Sequence, residues 1–370
     1  FIFARFVLAI GEAGNFPAAI KTTAEYFPKK DRAFSTSIWN AGATVGALAA
    51  PVTIPFIAKS MGWEWAFIII GALGFVWMGL WVFYYKKPHE HHKVNEHELN
   101  YINQDQEEVV AEEAVPQTEE RKFTFKECFS YRQTWAFAFG KFMTDGVWWF
   151  FLFWTPAYLS SVYGMDSTQS ALPLFVLYMI TLLSIIGGWL PKYFVEKKGM
   201  NAYSGRMRAM LIFAFFPLLA LLAQPLGGTT YWIPVLIIGI AGAAHQAWSA
   251  NIFSTVGDMF PKKAIATITG IGGMAGGIGS IIINKSSGVL FDHAHKAWST
   301  VDGTPLLEKY PQYVNERLPD GFFEQLEKSG AVVVDGIDKG YMIIFSICAV
   351  AYLIAWTVMK TLVPKYKVIK

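Results

Sequence analysis

The hydrophobic residues of this chain form long runs that are separated by shorter polar stretches. Each run approaches the roughly 20 residues that an α-helix needs to cross the hydrocarbon core of a bilayer. Two of the runs, 65–85 and 168–190, contain no charged residue. The pattern predicts nine membrane-spanning helices, at 1–27, 33–57, 64–85, 133–160, 168–190, 209–226, 231–257, 264–290 and 340–362. A buried core helix of a soluble protein could imitate one such run but not all of them.

The composition agrees with a membrane protein. Hydrophobic residues make up 54% of the chain and charged residues only 16%, whereas a soluble domain carries about 25% charged residues. The mean hydropathy is only +0.34 because two polar stretches, 86–132 and 292–339, lower the average. Two cysteines, Cys128 and Cys348, give no disulfide framework.

The Lys and Arg residues of the short loops predict the orientation of the spans. The loops on one side of the predicted membrane contain nearly all of them: Lys29, Lys30, Arg32, Lys197, Lys198, Arg206, Arg208, Lys262 and Lys263, with Lys365, Lys367 and Lys370 in the C-terminal tail. The short loops on the opposite side carry Lys59 and almost nothing else. We therefore predict that the basic loops and the C-terminus are cytoplasmic.

A short motif occurs twice in the chain, as "EYFPKKDRAFSTSIWNAG" from Glu25 and as "DMFPKKAIATITGIGG" from Asp258. Six predicted spans separate the copies, which lie on the same side of the membrane. A duplication of six helices would produce this arrangement. The alternative is that a helix stop followed by Lys residues recurs by chance.

The duplication predicts the organisation of the chain. If the second copy follows helix 10, the first follows helix 4, yet only one span precedes it here. We expect an N-terminally truncated fragment, with an unusual nine-span protein as the alternative. The predicted units are 1–85 (helices 4–6), a cytoplasmic linker at 86–132 and 133–370 (helices 7–12), which includes an extracytoplasmic insertion at 292–339.

Each of the two polar stretches has two interpretations. The linker is rich in Glu and is expected to be partly helical. Its four histidines could suggest a metal site, although a solvated linker is the preferred interpretation: His89, His91, His92 and His97. The insertion at 292–339 could be an ordered cap or a loop.

The first predicted span contains two opposite charges, Arg5 and Glu12. A charged residue at a helix centre normally faces a cavity or a partner, because it costs roughly 2.5–3.5 kcal/mol to insert. Seven residues are almost two turns, so both side chains share a face and are about 10 Å apart along the axis. Arg5 could hold a carboxylate by a bidentate pair, and Glu12 could carry a proton. The alternative is an ion-pair network that only joins helices. Lys21 and Glu25 are read as gate or surface charges.

The span 133–160 contains Lys141 and Asp145, which are four residues apart and so adjacent on a helix. They are either a mutually neutralising pair or a coupling or gating pair. Trp148 and Trp149 follow, and their ring faces could bind a sugar ring or contact lipid. We retain Trp149 as a candidate substrate contact.

The span 231–257 contains five polar or aromatic residues within seven positions: His245, Gln246, Trp248, Ser249 and Asn251. Helix-packing hydrogen bonds can account for one or two of them, and so many favour a wall that binds hydroxyl groups. Asn40 and Thr44, four residues apart in the span 33–57, could line the same cavity.

Several catalytic and energy-transducing motifs are missing from the sequence. The glycine-rich "GIGGMAGGIGS" follows no soluble strand and lacks a P-loop Lys, so it indicates close helix packing rather than nucleotide binding. We identify no nucleophile triad, zinc spacing or ATPase motif. The protein is therefore predicted not to be an enzyme and not to use ATP.

Four stretches carry a family resemblance. They are "RFVLAIGEAGNFPAAIKTTAEYFPKKDRAFSTSIWNAGATVGALAAP", "GKFMTDGVWWFFLFWTPAYL", "GGWLPKYFVEKKG" and "HQAWSANIFSTVGDMFPKKAIATITGIGGMAGGIGS". Together they resemble the anion:cation symporter family of the major facilitator superfamily, and within it the hexuronate-transporter branch. The resemblance implies an all-α, polytopic membrane protein of the major facilitator fold, with about nine of twelve helices present (helices 4–12).

The resemblance also implies a function. It implies proton-coupled uptake of glucuronate, galacturonate or a related sugar acid across a bacterial inner membrane, by a monomer that needs no cofactor beyond the proton gradient and binds no nucleic acid. Arg5 matches the family's substrate-carboxylate arginine and Glu12 its protonatable acid. The family's further substrate and coupling residues in helices 1 and 2 have no counterpart here. Alternatives are another organic anion such as an aldonate, phosphate or glutamate, uniport without a proton, or a non-transporting receptor; an intramembrane enzyme is disfavoured.

Overall fold

The computed structural model describes residues 2–112, 123–166, 169–319 and 321–369. Within these ranges the chain is mainly helical, with sixteen α-helices and three two-residue strands. The helices are α1 (Ile2–Glu12), α2 (Asn15–Tyr26), α3 (Arg32–Met61), α4 (Trp63–Tyr84), α5 (Glu96–Glu112), α6 (Phe125–Cys128), α7 (Arg132–Tyr163), α8 (Ala171–Thr181), α9 (Ile186–Lys198), α10 (Ala202–Ala214), α11 (Ala223–Gly227), α12 (Trp232–Met259), α13 (Lys262–Ala297), α14 (Leu306–Lys309), α15 (Phe322–Lys328) and α16 (Ile337–Leu362). The strands are β1 (Thr300–Val301), β2 (Thr304–Pro305) and β3 (Val333–Val334).

Six helical segments of the described chain are long and apolar enough to cross a membrane. They are α4, the continuous helical stretches Ala171–Lys198 and Ala202–Gly227, α12, α13 and α16. Helices α3 and α7 correspond to two further predicted spans and, with 30 and 32 residues, also have the length for a crossing. The predicted all-α, multi-pass fold is thus confirmed.

The first predicted span is divided in two by a turn at residues 13–14. Pro17 lacks an N–H and cannot donate to the carbonyl four residues before it, which belongs to Ala13. Helix α1 accordingly ends at Glu12 and α2 begins at Asn15.

Helix α12 lies at the centre of the fold and is buried along nearly its whole length. It packs against α3, α7, α8, α9 and α10. Helix α4, in contrast, has one buried residue, Ala66, and exposes large apolar side chains such as Phe75 and Phe83. An apolar surface of this kind is suited to contact with lipid.

Glycines bring α13 close to α7. A methyl group at Gly272 would overlap the Phe137 ring, and one at Gly279 would overlap the backbone carbonyl of Phe142. Small residues permit this close approach of two helices where no hydrophobic effect drives them together. The glycine-rich segment is therefore a packing surface.

The described residues of the linker and of the insertion include regular secondary structure. The linker forms α5 and α6, and Thr124 and Glu127 make a capping box at the start of α6. The insertion lies between Ala297 and Ile337 and folds as a small sheet with the strand order β2-β1-β3. Asp302 and Gly303 form the two-residue β1–β2 turn, both with positive φ, as this type of hairpin requires.

Candidate functional site

The polar residues of α12 form a buried wall in the middle of the fold. His245, Gln246 and Ser249 are 4, 6 and 5% exposed, and Trp248 and Asn251 are fully buried. The five predicted residues thus lie together on one central helix, which packs against α3 and α7 and contacts α16 through Tyr352.

His245 is held by aromatic residues from two other helices. Its ring stacks on Trp148 of α7, with the ring centroids 5.1 Å apart and the planes 5° from parallel. Its Nδ1 atom lies 2.7 Å from the hydroxyl of Tyr352 in α16. That hydroxyl also donates to the Thr144 carbonyl in α7 over 3.4 Å. The ring of His245 thus has a fixed orientation, which a ligand contact would need.

Two hydrogen bonds connect the wall and its neighbours to α3. Asn40 donates from Nδ2 to Gln246 Oε1 over 2.7 Å, and Thr181 of α8 donates to the Thr44 hydroxyl over 3.3 Å. A third polar contact on the same face joins Ser254 to Thr36 over 3.5 Å. Thr36, Asn40 and Thr44 are spaced by four residues, so one stripe of α3 supplies all of these contacts.

Asn251 and Trp248 have packing contacts in this conformation. Asn251 donates from Nδ2 to the Gly187 carbonyl over 2.7 Å and to the Ala247 carbonyl over 2.8 Å, which joins α12 to α9. Trp248 packs edge-on against Tyr352 at a centroid distance of 5.5 Å. The Trp248 Nε1 and Asn251 Oδ1 atoms are buried without a hydrogen-bond partner. Such atoms are uncommon in a folded protein, so both remain candidate ligand contacts.

Lys141 and Asp145 form an ion pair inside α7. The distance from Lys141 Nζ to Asp145 Oδ1 is 2.8 Å, and the side chains are 6 and 15% exposed. The Lys141 ammonium also lies 4.1 Å from the centroid of the Phe253 ring. Of the two predicted alternatives, mutual neutralisation describes the geometry seen here, and a coupling role stays a prediction.

Trp148 and Trp149, which follow this pair, have different surroundings. Trp148 stacks on His245 as described, whereas Trp149 is 37% exposed and stacks on the exposed Phe153 at 5.4 Å. The aromatic face next to the polar wall therefore belongs to Trp148. A substrate contact by Trp149 stays a prediction.

The predicted carboxylate clamp belongs to α1, whose described side chains are exposed. Arg5 is in α1, but its side chain lies outside what the structure describes. Glu12 ends α1 and is exposed. Lys21 and Glu25 are 3.9 Å apart, and Tyr85 donates a hydrogen bond to Glu25 over 2.7 Å. The structure does not test the proposed roles of Arg5 and Glu12.

The two copies of the repeated motif meet at one end of the molecule, which we call the FPKK face after residues 27–30 and 260–263. Arg32, which follows the first copy, donates to the Gly257 carbonyl over 2.6 Å and lies 4.0 Å from Asp258. Arg206 donates from Nε and Nη2 to Asp258 over 2.5 and 3.1 Å. Arg206 also donates to the Lys29 carbonyl over 2.5 Å. The repeated motif therefore forms a buried clamp, whose carboxylate is Asp258.

Further contacts close the FPKK face around this clamp. Lys192 of α9 lies 2.7 Å from Asp31, and Tyr101 of α5 donates to the same carboxylate over 2.5 Å. Burial opposes ionisation of Asp31, but the hydrogen bonds from Lys192 and Tyr101 outweigh it, so the pKa of Asp31 lies below its usual value. Tyr366 of the tail donates to the Asp258 carbonyl over 3.1 Å.

A cavity of about 950 Å³ lies between α2, α3 and α4. Half of its lining residues are aromatic, including Trp39, Trp77 and Trp81, and Asn40 also lines it. Asn40 therefore contacts this cavity as well as Gln246. Among the residues that the structure describes, no group of three or more His, Cys, Asp or Glu side chains could hold a metal ion.

Comparison with known proteins identifies the family. The model of the Major Facilitator Superfamily matches residues 1–283. The chain belongs to the Major Facilitator Superfamily. Its members are transporters rather than enzymes, so the predicted superfamily and non-enzymatic class are confirmed, and the chain is a multi-pass membrane protein.

Three relatives show which branch is similar. The chain is 29% identical over 294 residues to the hexuronate transporter of Escherichia coli (strain K12), covering 78% of this chain and 66% of that protein. It is 29% identical over 205 residues to the galacturonate transporter of Dickeya chrysanthemi, covering 55% and 58%. It is 26% identical over 301 residues to the probable galactarate/D-glucarate transporter of Escherichia coli (strain K12), covering 79% and 66%. Each match thus covers less than two thirds of the relative's length.

One solved structure is similar in shape. A bacterial homologue of the iron transporter ferroportin, in an outward-facing state, matches with 11% identity and a TM-score of 0.46, covering 98% of this chain and 90% of that chain. A likeness at this level carries no argument about function.

Three functional contacts were missed from the sequence. Tyr352 lies in an apolar run whose composition gives no sign of a polar role. From the sequence, Arg206 was interpreted only as loop charge and Asp258 only as part of a repeat. The two residues are 52 positions apart, and the structure pairs them. The one available signal was that Asp258 begins the second motif copy, next to the helix end.

Proposed function

We propose that this protein is a secondary active transporter that imports a hexuronate, such as galacturonate or glucuronate, by proton symport through alternating access. The observation that carries the proposal is the buried polar wall of α12, where His245, Gln246 and Ser249 lie deep inside an otherwise apolar bundle. Polar groups inside a membrane protein are costly to bury and commonly mark a substrate pathway. The hexuronate and galacturonate transporters among the relatives support this substrate class.

The wall suits a ligand with several hydroxyl groups. Asn40 and Gln246 satisfy each other across 2.7 Å, so a hydroxyl that enters between them can accept from one amide and donate to the other. Exchange of one hydrogen bond for two leaves no buried amide unpaired. The stacked Trp148–His245 pair offers a flat face for the sugar ring. Trp248 and Asn251 supply a free donor and a free acceptor.

The carboxylate and the proton are assigned to the first span. Arg5 holds the substrate carboxylate by a bidentate pair, and Glu12 carries the proton. Protonation of Glu12 weakens its attraction for nearby cations, which frees Arg5 for the substrate. Lys141 and Asp145 remain a neutral pair on α7, and Thr44 with Asn40 lines the path along α3.

The halves of the proposed transporter are 1–85 and 133–370, joined by the linker 86–132. The FPKK face is cytoplasmic, in a bacterial inner membrane, and the Arg206–Asp258–Arg32 clamp is the cytoplasmic gate. It joins the first half to the second and must open for release of substrate and proton. The transporter acts as a monomer.

Uptake into proteoliposomes tests the proposal. Protein expressed from its full reading frame is reconstituted, and labelled galacturonate and glucuronate are supplied under an imposed inward proton gradient. We expect gradient-driven uptake that Arg5→Ala abolishes. Glu12→Gln should keep exchange of internal for external substrate but lose accumulation driven by the gradient, because the carrier of the proton is gone.

A matched control uses a charge far from the wall. The exposed pair Lys328–Glu324 of α15 has side chains that are 72 and 67% exposed, so Lys328→Gln should leave uptake unchanged. Proton flux that remains coupled to substrate in Glu12→Gln would exclude the assignment of Glu12. Absence of uptake of both acids by folded wild-type protein would exclude the hexuronate proposal.

A second candidate substrate class is an aldarate, a sugar acid with a carboxylate at each end. The similarity to the probable galactarate/D-glucarate transporter favours it over unrelated anions. Labelled galactarate in the same assay separates the two classes.

A further inference from the structure

An ion pair with no net charge, Lys141–Asp145, lies on α7 close to the buried wall of α12. Lys141 and Asp145 are the tenth and fourteenth residues of the 32-residue helix α7, so both lie well inside it. With 2.8 Å between Nζ and Oδ1 and side chains only 6 and 15% exposed, they are a desolvated pair rather than surface charges. Burying two charges inside a membrane helix is energetically costly, which indicates that the pair has a functional role.

The pair lies beside the proposed binding path. The Lys141 ammonium is 4.1 Å from the Phe253 ring centroid, and that ring stacks on Phe16 of α2 at 5.8 Å. Trp148, three residues after Asp145 on α7, stacks on His245 of the wall. The pair therefore lies next to the hydroxyl-binding wall, and the stacked rings of Phe253 and Phe16 connect it to α2.

The position of the carboxylate is fixed by the neighbouring helix. Gly276 of α13 faces Asp145, and a methyl group at this glycine would overlap the carboxylate. The next glycine, Gly277, has open space around it. Close packing of α7 on α13 thus holds Asp145 in place for Lys141, and Gly276 is a positioning residue.

We infer that Asp145 is a specificity-determining residue, which neutralises Lys141 and so makes the wall select sugar acids with one carboxylate over aldarates with two. This inference rests on the proposed hexuronate function. When one carboxylate is bound by Arg5, the far end of a hexuronate is neutral and requires only hydroxyl partners. The far carboxylate of an aldarate would meet a lysine that is already paired and an aspartate that repels it, so it would lose its hydration without compensation.

Removal of the negative partner should reverse this preference. Asp145→Asn keeps the shape of the side chain and leaves Lys141 as an unpaired buried cation, which would attract a second carboxylate. The test measures initial uptake of labelled galactarate and galacturonate in the proteoliposome assay. We expect the galactarate-to-galacturonate ratio to rise by about tenfold or more, given the strength of a desolvated charge pair at contact distance.

Two further variants separate charge from damage to the fold. Lys141→Gln combined with Asp145→Asn restores neutrality, so the ratio should return to within about threefold of the wild-type value even if both rates fall. Gly277→Ala should leave the ratio unchanged, whereas Gly276→Ala, which displaces the carboxylate but keeps both charges, should raise it. Protection of detergent-solubilised Asp145→Asn protein against heat by galactarate gives a readout that does not require transport.

The outcomes are distinct. Equal loss of both acids in Asp145→Asn, with no gain in heat protection by galactarate, would overturn the inference while wild-type uptake of galacturonate left the proposed function intact. A double variant that prefers galactarate as strongly as Asp145→Asn would also overturn it, because net charge would then not be the cause. If the folded wild-type protein takes up neither hexuronate, the proposed function fails and this inference fails with it.

Discussion

The clamp at the FPKK face gives the sharpest prediction about this protein. Asp258 has a fully buried side chain and pairs with Arg206, whose side chain is 2% exposed; Arg32 lies 4.0 Å away. Replacing Asp258 by Asn keeps its size but leaves two buried guanidinium groups without their carboxylate. Breaking a buried pair in this way costs about 3–5 kcal/mol.

That cost should fall on the closed conformation of the FPKK face, because Arg32 and the Lys29 carbonyl of the first half contact the Arg206–Asp258 pair of the second half there. A loss of about 3 kcal/mol corresponds to a factor of about 100 in the equilibrium between closed and open forms. Ala24 is 3% exposed, and its carbonyl accepts a hydrogen bond from Arg32. A cysteine at this position is therefore a reporter of opening.

The assay is the rate of maleimide labelling of Ala24→Cys in protein whose native cysteines, Cys128 and Cys348, are replaced by Ser. Labelling that requires opening follows the population of the open form. We expect Asp258→Asn to raise the labelling rate about 100-fold. Glu196→Gln on the same face removes a half-exposed partner of Lys192 at 3.8 Å and should change the rate by no more than about fivefold.

Two results would refute this reasoning. Unchanged labelling in folded Asp258→Asn protein would mean that the buried pair does not hold the FPKK face closed. An equal acceleration in Asp258→Asn and Glu196→Gln would mean that general loosening, rather than the clamp, exposes the cysteine. Thermal unfolding of each variant supplies the check on folding.

Three other predictions concern packing, hydrogen bonding and pH. Gly276→Ala should lower stability by about 1–3 kcal/mol because the added methyl group overlaps a carboxylate in a packed interface, while Gly277→Ala should stay within about 0.5 kcal/mol; thermal unfolding in detergent compares them. Asn40→Ala should destabilise the protein by about 1–3 kcal/mol because it leaves the buried Gln246 amide oxygen unpaired, and the effect should shrink in a Gln246→Ala background in a double-mutant cycle. Asp31 has a lowered pKa in the folded protein, so its stabilising contribution is present above about pH 4, the value of an unperturbed Asp, and is lost as pH falls through the lower folded value. Stability curves of wild type and Asp31→Asn should therefore differ at pH 7 and converge in acid; a constant difference down to the acid limit would contradict this.

Much of the site could be predicted from local spacing. The density of polar residues between His245 and Asn251 marks a wall because lipid offers no partners for such groups, and the four-residue interval between Asn40 and Thr44 places both on one face of α3. The Lys141–Asp145 pair follows from the same helical interval. The placement of these residues follows from the geometry of a single helix, and the roles assigned to them stay predictions.

Contacts between helices were harder to predict from the sequence. Trp148 and Trp149 are equivalent in the sequence, and only the rotation of α7 against α12 directs Trp148 to His245 and Trp149 outward. Tyr352 lies more than 100 residues from His245, and nothing in its own segment distinguishes it from a membrane-facing tyrosine.

The sequence alone determined that this is a polytopic helical membrane protein with a duplicated motif, because hydrophobic run length and charge placement respond directly to the bilayer. It also supplied the candidate charges, since any charge within an apolar run is costly. Only the tertiary structure decided that the two motif copies meet in one clamp around Asp258, and that a glycine on α13 seats Asp145. Those facts depend on which helix faces come into contact, and such contacts are set by the packing of the whole bundle rather than by any local pattern.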